Sequence, residues 1–420
     1  MIVIADFHVH SLWSKATSKQ MNLKGIAEGA KIKGLNLVGT GDFTHPKWFE
    51  ELKDKLEVLE DSGLFFYEDV FFTLTSEVAT YFEVRGEIKR VHHVIHAPSF
   101  EIVEQIVDKL IKYGNLNSDG RPVLNLSAQE LVEILTEISE DVLIYPAHAW
   151  TPWMSCFGSK SGFNSMEECY QDQVKNIFAL ETGLSSNPEM NWRLSSLDKF
   201  TLLSNSDSHS PHPWRLGREA NVFDLKKISY WEIFDVIKKK DGKRFLYTIE
   251  VDPNYGKYHF TGHRSCNISL HPKDAIKLKN ICPKCHKKLT VGVLQRVEEL
   301  ADRPEGFVPK DAIPFKTLLP LYEVISFASG SGELYSKKVL EEHDKLIKKF
   351  GNELNVLLNV PKEELLKVTG EKIVEAIIKV REGKIKYIPG YDGVYGSPVF
   401  DENFEIVKGK VPLQKDLKQF

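Results

Sequence analysis

An α/β barrel with a largely parallel sheet is the fold that the sequence predicts. Three observations carry it: short apolar runs recur from residue 2 to residue 203, helical patterns fall between several of them, and metal-capable side chains stand where nearly every run ends. The runs cover residues 2–7, 36–40, 71–75, 90–95, 142–145, 177–180 and 201–203, each closed by polar or glycine signals, which gives seven candidate strands. Amphipathic helices are clearest over 23–33, 49–61, 100–113 and 128–139. Alternating β and α units place the strand C-termini on one face, so residues distant in sequence converge there.

The metal-capable residues are His8 and His10, Asp42 and His45, Glu77, the His92/His93/His96 cluster, His148, Glu181, and Asp207 with His209. A lone strand histidine is more often a satisfied core residue than a ligand. Side chains at i and i+2 share one side of a strand, however, so the pairs His8/His10 and Asp207/His209 read as functional. His45, Glu181 and two of the three histidines in the 92–96 cluster stay open between ligand, supporting partner and packing.

At 420 residues the chain exceeds what one core usually supports, so two or three units are expected. No apolar run approaches the ~18 to 20 residues that cross a bilayer, and the N-terminus does not read as a signal peptide, so a cytoplasmic protein without a membrane partner is the expectation. The five cysteines are an odd number in a long chain, which argues against a disulfide framework and turns attention to metal. His263, Cys266, Cys282 and Cys285 give H-x2-C, a gap of fifteen residues, then C-x2-C, the spacing of a closed structural zinc site. The net charge of −4 is not that of a basic nucleic-acid binder, yet lysines 273, 277, 279, 284, 287 and 288 share their segment with the single acid Asp274. They read either as a DNA-contacting surface or as the solvated side of a structural staple.

The words DFHVH, TGD and SDSH resemble the H-x-H, T-D-H and D-x-H motifs of the polymerase and histidinol phosphatase (PHP) superfamily, with Asp42 in place of the usual histidine. That resemblance implies a distorted (β/α)7 barrel holding up to three metal ions. Carried over by position, His8, His10, Glu77 and Asp207 would hold one ion, Glu77 would bridge to a second held by His92 and His148, and Asp42 and His209 would complete a third site. His96 is the alternative to His92. Glu77, Asp207 and His209 are the expected catalytic residues. Mixed histidine and carboxylate ligands favour zinc and leave room for magnesium or manganese.

Over essentially the full length, GTGDFTHP, YPAHAWTPW, the cysteine segment, RVEELADRPEG and PGYDGVYG together resemble the endonuclease Q family of DNA-repair nucleases. The resemblance implies hydrolysis of the phosphodiester 5′ of deaminated bases (uracil, hypoxanthine, xanthine) and abasic sites by a multinuclear metal mechanism, with damaged DNA as partner. A small-molecule phosphatase of the histidinol-phosphate type is the alternative; it needs neither the zinc segment nor a helical extension. The expected division is 1–250 for the barrel, 251–310 for a zinc-binding domain, 311–400 for a helical, DNA-binding domain and 401–420 for a tail.

Arg193, Arg215 and Arg218 fall in or just beyond loops expected near the site, where guanidinium forks suit phosphate oxygens. A solvated surface role is the competing reading for each. The long loop TPWMSCFGSKSGFNSMEECY reads as a holder for an extruded base or as a lid, with Cys156 and Cys169 as ordinary buried thiols. Gln414, Leu417 and Phe420 match the Q-x-x-L-x-x-aromatic spacing of sliding-clamp-binding peptides, against the alternative of a frayed tail.

Overall fold

The computed structural model describes residues 1–330, 334 and 336–399, so Gln414, Leu417 and Phe420 lie outside the described residues. All seven expected strands form: β1 (Ile2–Asp6), β2 (Leu37–Gly39), β3 (Val70–Val84), β4 (Glu87–Ala97), β5 (Leu143–Pro146), β6 (Ala179–Glu181) and β7 (Thr201–Leu203), followed by β8 (Ala220–Asp224) and β9 (Phe245–Glu250). β1, β2 and β3 pair in parallel, as do β6 and β7. Ala149, just past β5, donates its N–H to the carbonyl of Glu181 at the end of β6. Val9 and Ser208 form a parallel bridge beyond β1 and β7, so strand contacts run full circle.

The expectation of parallel pairing fails at β4, which is antiparallel to both β3 and β5. The cause is a two-residue turn, Arg85–Gly86, with both φ values positive (52° and 81°). Such a turn matches strand twist and closes a hairpin directly. The resulting ribbon pairs Leu74 with Ala97 at one end and Val84 with Glu87 at the other. Glu77 and His92 therefore sit along a ribbon that continues past the ring, not at strand ends.

Closure between β7 and β1 is also irregular, because β8 lies antiparallel along Ile2–Ala5. Two buried amides bridge the gap. Asn221 accepts from the Ser204 N–H (3.0 Å) and donates to the Ser204 carbonyl (2.8 Å) and Asn205 Oδ1 (2.9 Å), while Asn205 Oδ1 accepts from the Phe7 N–H (3.0 Å). Main-chain groups that would otherwise be buried unpaired are thus satisfied by side chains.

Around the ring lie α1 (Leu23–Lys33), α2 (Pro46–Lys55), α3 (Phe100–Leu110), α4 (Ala128–Ile138) and α5 (Tyr230–Lys239). Asn22 caps α1, and Ser127 with Glu130 forms a capping box on α4. α2 stops short of the expected residue 61, because Glu57–Leu59 and Leu64–Tyr67 form a hairpin added to β3.

The cysteine segment is a small unit with a short antiparallel pair, Thr261–His263 with Ile268–Leu270. Its separate buried cluster consists of Ala275, Cys282 and Leu289 only. So little apolar burial does not hold a unit alone. Beyond it, α6 (Val293–Leu300) ties back to the barrel loop: Arg296 donates to the carbonyls of Phe157 (3.1 Å) and Phe163 (3.0 Å).

Among the described residues five helices follow: α7 (Leu321–Ala328), α8 (Lys337–Phe350), α9 (Glu353–Leu358), α10 (Lys362–Leu366) and α11 (Glu371–Arg381). α7 packs on α8 and α11, and a buried ion pair joins α1 to α9, Lys33 Nζ to Glu353 Oε1 at 2.6 Å. The helical unit is narrower than the expected 311–400. Phe315–Thr317 pairs with β9, and the hairpin of Lys386–Ile388 with Ser397–Val399 returns to the Pro253–Tyr255 turn, because main-chain pairing overrides chain order. Among the described residues no helix is long and apolar enough to cross a membrane.

Candidate metal centre

Two groups of ligand-type atoms form on the face expected from the strand order: His8, His10 and Asp207, and Glu77, His92 and His148, each with its atoms within 4.8 Å of one another. Glu77 joins them. Its Oε1 lies 2.7 Å from His92 Nδ1 and 3.1 Å from His148 Nε2, and its Oε2 lies 3.4 Å from His10 Nε2 and 3.7 Å from His8 Nε2. Asp207 Oδ1 approaches His10 Nε2 at 3.0 Å and His8 Nε2 at 3.7 Å. Asp207, at φ 48°, stands in the left-handed region as the chain bends to present its carboxylate.

The donor set fits metal ions, and the hydrogen bonds behind the rings show why. Glu181 accepts from His8 Nδ1 at 3.0 Å, and Asp42 accepts from His10 Nδ1 at 3.1 Å. With a proton kept on Nδ1 by each carboxylate, each Nε2, directed at Glu77 and Asp207, is the nitrogen free to give a lone pair to a metal ion. His8 Nε2 is buried with no hydrogen-bond partner. A lone pair facing carboxylates calls for a cation. Ser155 Oγ and Thr151 Oγ1 approach His148 Nδ1 at 3.0 and 3.2 Å and steady that ring from the loop after β5.

Electrostatics express the same demand. Burial disfavours a charged His8, yet Glu181 and Glu77 outweigh it and lift its pKa well above the usual value. His10 rises to about 10, with Asp42 and Asp207 overcoming burial. Burial would raise the Glu77 pKa, but His92, Arg121 and His8 hold it well below the usual carboxylate range. Where no metal stands, protons gather on His8 and His10; a bound cation would displace them.

Asp42, expected to hold a third ion with His209, contacts His10 and Ser11. Its Oδ1 faces His10 Nδ1, and its Oδ2 accepts from the Ser11 N–H (2.6 Å) and hydroxyl (2.7 Å), so one oxygen supports His10 and the other holds the Ser11 turn. His209 stands at the rim, with Nδ1 3.0 Å from the Asp207 carbonyl and its ring 4.4 Å from that of His10. Burial and His10 push its pKa to about 4, so the imidazole is neutral at neutral pH.

The cluster on β4 divides by strand alternation. His92 enters the ligand group, whereas His93 turns away to Tyr170 OH (2.9 Å) and Thr80 Oγ1 (3.0 Å). His96, on the same side as His92, lies deeper in the ring against Tyr145 OH (3.0 Å). His45 stacks on Trp13 with centroids 4.9 Å apart.

The three arginines expected to bind substrate each have contacts within the protein. Arg193 ion-pairs with Glu298 at 2.8 Å and bonds the Arg303 carbonyl, which fastens the barrel to α6. Arg218 is occupied by the Ser206 carbonyl, reached by Nε at 3.3 Å and Nη2 at 3.1 Å, and so braces the turn before Asp207. Burial raises the pKa of the Glu323 carboxyl against the hydrogen bond from Tyr255 and the positive charge of Arg215. Among the described residues, the guanidinium that reaches the ligands is Arg121, with Nη1 3.2 Å from Glu77 Oε2. No local pattern in the sequence marks it.

His263, Cys266, Cys282 and Cys285 converge with ligand atoms within 4.8 Å, and all three thiols are free of disulfides. Desolvation opposes ionising Cys282, but the backbone N–H groups of Cys285 and Lys284 outweigh it and draw the thiol down to about 6. A thiolate stabilised in this way suits a tetrahedral ion. All six lysines of the segment are exposed. In the loop after β5, Trp153 is exposed and meets Tyr258 edge-on at 5.5 Å, while Cys156 and Cys169 are buried free thiols.

A family described as the MJ0043 C-terminal domain matches residues 320–384, the span of the helical unit. The uncharacterized protein MJ0043 of Methanocaldococcus jannaschii is 38% identical over 275 residues, or 65% of this chain, and the match spans 34% of that relative's length. The solved structure of the lesion-specific endonuclease PfuEndoQ from Pyrococcus furiosus is 38% identical with a TM-score of 0.86, and 98% of each chain is covered. An endonuclease Q solved with a 27-mer duplex carrying an abasic lesion at the active site is 39% identical with a TM-score of 0.86, covering 98% of this chain and 99% of the other. With ligand groups, cysteine cluster and helical unit in one chain matched end to end, this chain belongs to the endonuclease Q family.

Proposed function

We propose that the chain is a metal-dependent DNA endonuclease that nicks the phosphodiester 5′ of deaminated bases (uracil, hypoxanthine, xanthine) and abasic sites. The observation that carries the reading is the pair of ligand groups joined by Glu77, with the Nε2 atoms of His8 and His10 directed inward. End-to-end similarity to a lesion-specific endonuclease and to an endonuclease Q solved on an abasic duplex supports the substrate class.

His8, His10 and Asp207 would hold one ion and Glu77, His92 and His148 another, with zinc favoured by the imidazoles and magnesium or manganese as alternatives. Bound there, the metals would ease the ionisation of water and neutralise charge on the phosphoryl and leaving oxygens. The protein's own part is to fix the rings: Glu181 and Asp42 set the His8 and His10 tautomers, and Glu77 sets the spacing between groups. His209, neutral at the rim, offers a lone pair to a third ion or to a proton in transit.

In this reading the exposed lysines of the cysteine unit and the helical unit grip the duplex, and Trp153 beside Tyr258 supports an extruded base. A cytoplasmic location and sliding-clamp docking through Gln414, Leu417 and Phe420 belong to the same proposal. The test is nicking of duplexes bearing uracil, hypoxanthine, xanthine or an abasic site, beside a generic phosphomonoester. His8→Ala and Asp207→Ala should abolish nicking while leaving the fold intact. Hydrolysis of the phosphomonoester alone, or full nicking by metal-stripped Asp207→Ala, would overturn the proposal.

A further inference from the structure

Arg121 stands on a loop that is fixed from several sides. Its N–H and that of Lys15 both donate to Asp119 Oδ1, at 3.3 and 3.1 Å, and the Gly120 N–H donates to the Trp13 carbonyl (3.1 Å). On the far side the Ala79 N–H, from β3, donates to the Pro122 carbonyl (2.9 Å). Position 120 admits only glycine, since a Cβ there would collide with the Asp42 carboxylate and the Ser14 hydroxyl. The loop is therefore seated directly on the groups that support His10. A guanidinium carried on it is held in place before any ligand arrives.

The guanidinium itself is only partly committed. Nη1 reaches Glu77 Oε2 at 3.2 Å, while among the described residues Nε and Nη2 have no protein acceptor. The side chain is 25% exposed, beside a Glu77 side chain that is 0% exposed, so solvent reaches the arginine while the carboxylate it holds is fully buried. Glu77 Oε2 is also the oxygen turned toward His8 and His10. An ion drawing on that oxygen would weaken its hold on Arg121 and leave a planar fork without enough acceptors. Tetrahedral phosphate supplies paired oxygens at the matching spacing.

We propose that Arg121 is a catalytic phosphate-binding residue, its fork taking the non-bridging oxygens of the phosphodiester to be cut. The proposal rests on the phosphoesterase reading above and names the group that positions the anion. The rival role is a fixed counter-ion that only holds Glu77 in place. The two roles differ in what survives removal: a phosphate fork leaves metal binding intact, and a counter-ion does not.

Full-length zinc-loaded wild type and Arg121→Ala are compared in three measurements: metal per chain by mass spectrometry, inorganic phosphate affinity by calorimetry, and kcat and KM on an abasic duplex. The expected result is unchanged metal content, at least a tenfold loss of phosphate affinity, and a fall in kcat of about 100-fold, partly restored by added guanidinium. Phosphate affinity and kcat within threefold of wild type overturn the proposal, as does loss of bound metal in step with activity. If the wild type cuts no duplex but Arg121→Ala still loses phosphate affinity, the DNA reading fails while the phosphate role stands. Should Arg121→Ala not fold, Arg121→Gln, which keeps the stem, carries the same comparison.

Discussion

Replacing Glu181 by glutamine tests the idea that ligand histidines are set by carboxylates behind them. Three donors surround this side chain: His8 Nδ1 at 3.0 Å and Asn205 Nδ2 at 2.9 Å on Oε2, and the His148 N–H at 3.0 Å on Oε1. Glutamine keeps the volume but exchanges one oxygen for an NH2, so in either orientation a donor meets a donor. If the amide NH2 faces His8, the ring must accept at Nδ1 and carry its proton on Nε2, which removes the lone pair from the metal group. Loss of such a supporting partner costs about 10 to 100-fold in metal affinity, or about 1.4 to 2.8 kcal/mol. Competition with a chromophoric chelator, read as free metal at half occupancy, measures it directly. Circular dichroism establishes that the fold is retained. Affinity within threefold of wild type, in a folded Glu181→Gln protein with normal nicking, would refute the reasoning.

The buried Lys33–Glu353 pair should couple the helical unit to α1. Lys33→Met leaves Glu353 with the Leu321 N–H (2.9 Å) and a histidine 3.5 Å away, and should destabilise by about 3 to 5 kcal/mol in urea unfolding, with Lys33→Met/Glu353→Leu recovering most of the loss. Burial would raise the Glu353 pKa, but Lys33 and His343 hold it below the ordinary carboxylate value. Its stabilisation is thus present above that value and lost as pH falls through the lower folded pKa, so acidification should release the helical unit at a higher pH in Lys33→Met than in wild type. Cys282→Ser should lower the metal content by one ion per chain and open residues 261–290 to limited proteolysis, since three buried apolar residues cannot hold the unit; an unchanged digest would count against a structural ion. Deletion of residues 414–420 should abolish sliding-clamp binding in a pull-down, and unchanged binding would refute the peptide reading.

Features that depend on local geometry were legible in the chain itself. His8 and His10 share a side because strand side chains alternate, and the H-x2-C and C-x2-C pairs each turn on a few residues, so spacing alone brings ligands together. Arg85–Gly86 between TYFEV and EIKRV carried the signal of a two-residue hairpin, yet read as separate runs it left β4 parallel and Glu77 at a strand end. One turn decided both.

What the sequence determined by itself was the set of seven strands, the inward-facing residue types and the demand for metal, because these follow from short-range periodicity and side-chain chemistry. Which group each residue serves was decided by the tertiary structure. Asp42 became the partner of His10, Glu181 the partner of His8, and Arg193 and Arg218 were taken up by structural contacts, while Arg121, on a loop with no motif, reached Glu77. A side chain's role depends on which lone pairs and donors its neighbours leave unmatched. Those neighbours come from strands and loops far apart in the chain, and only the closed ring sets them face to face.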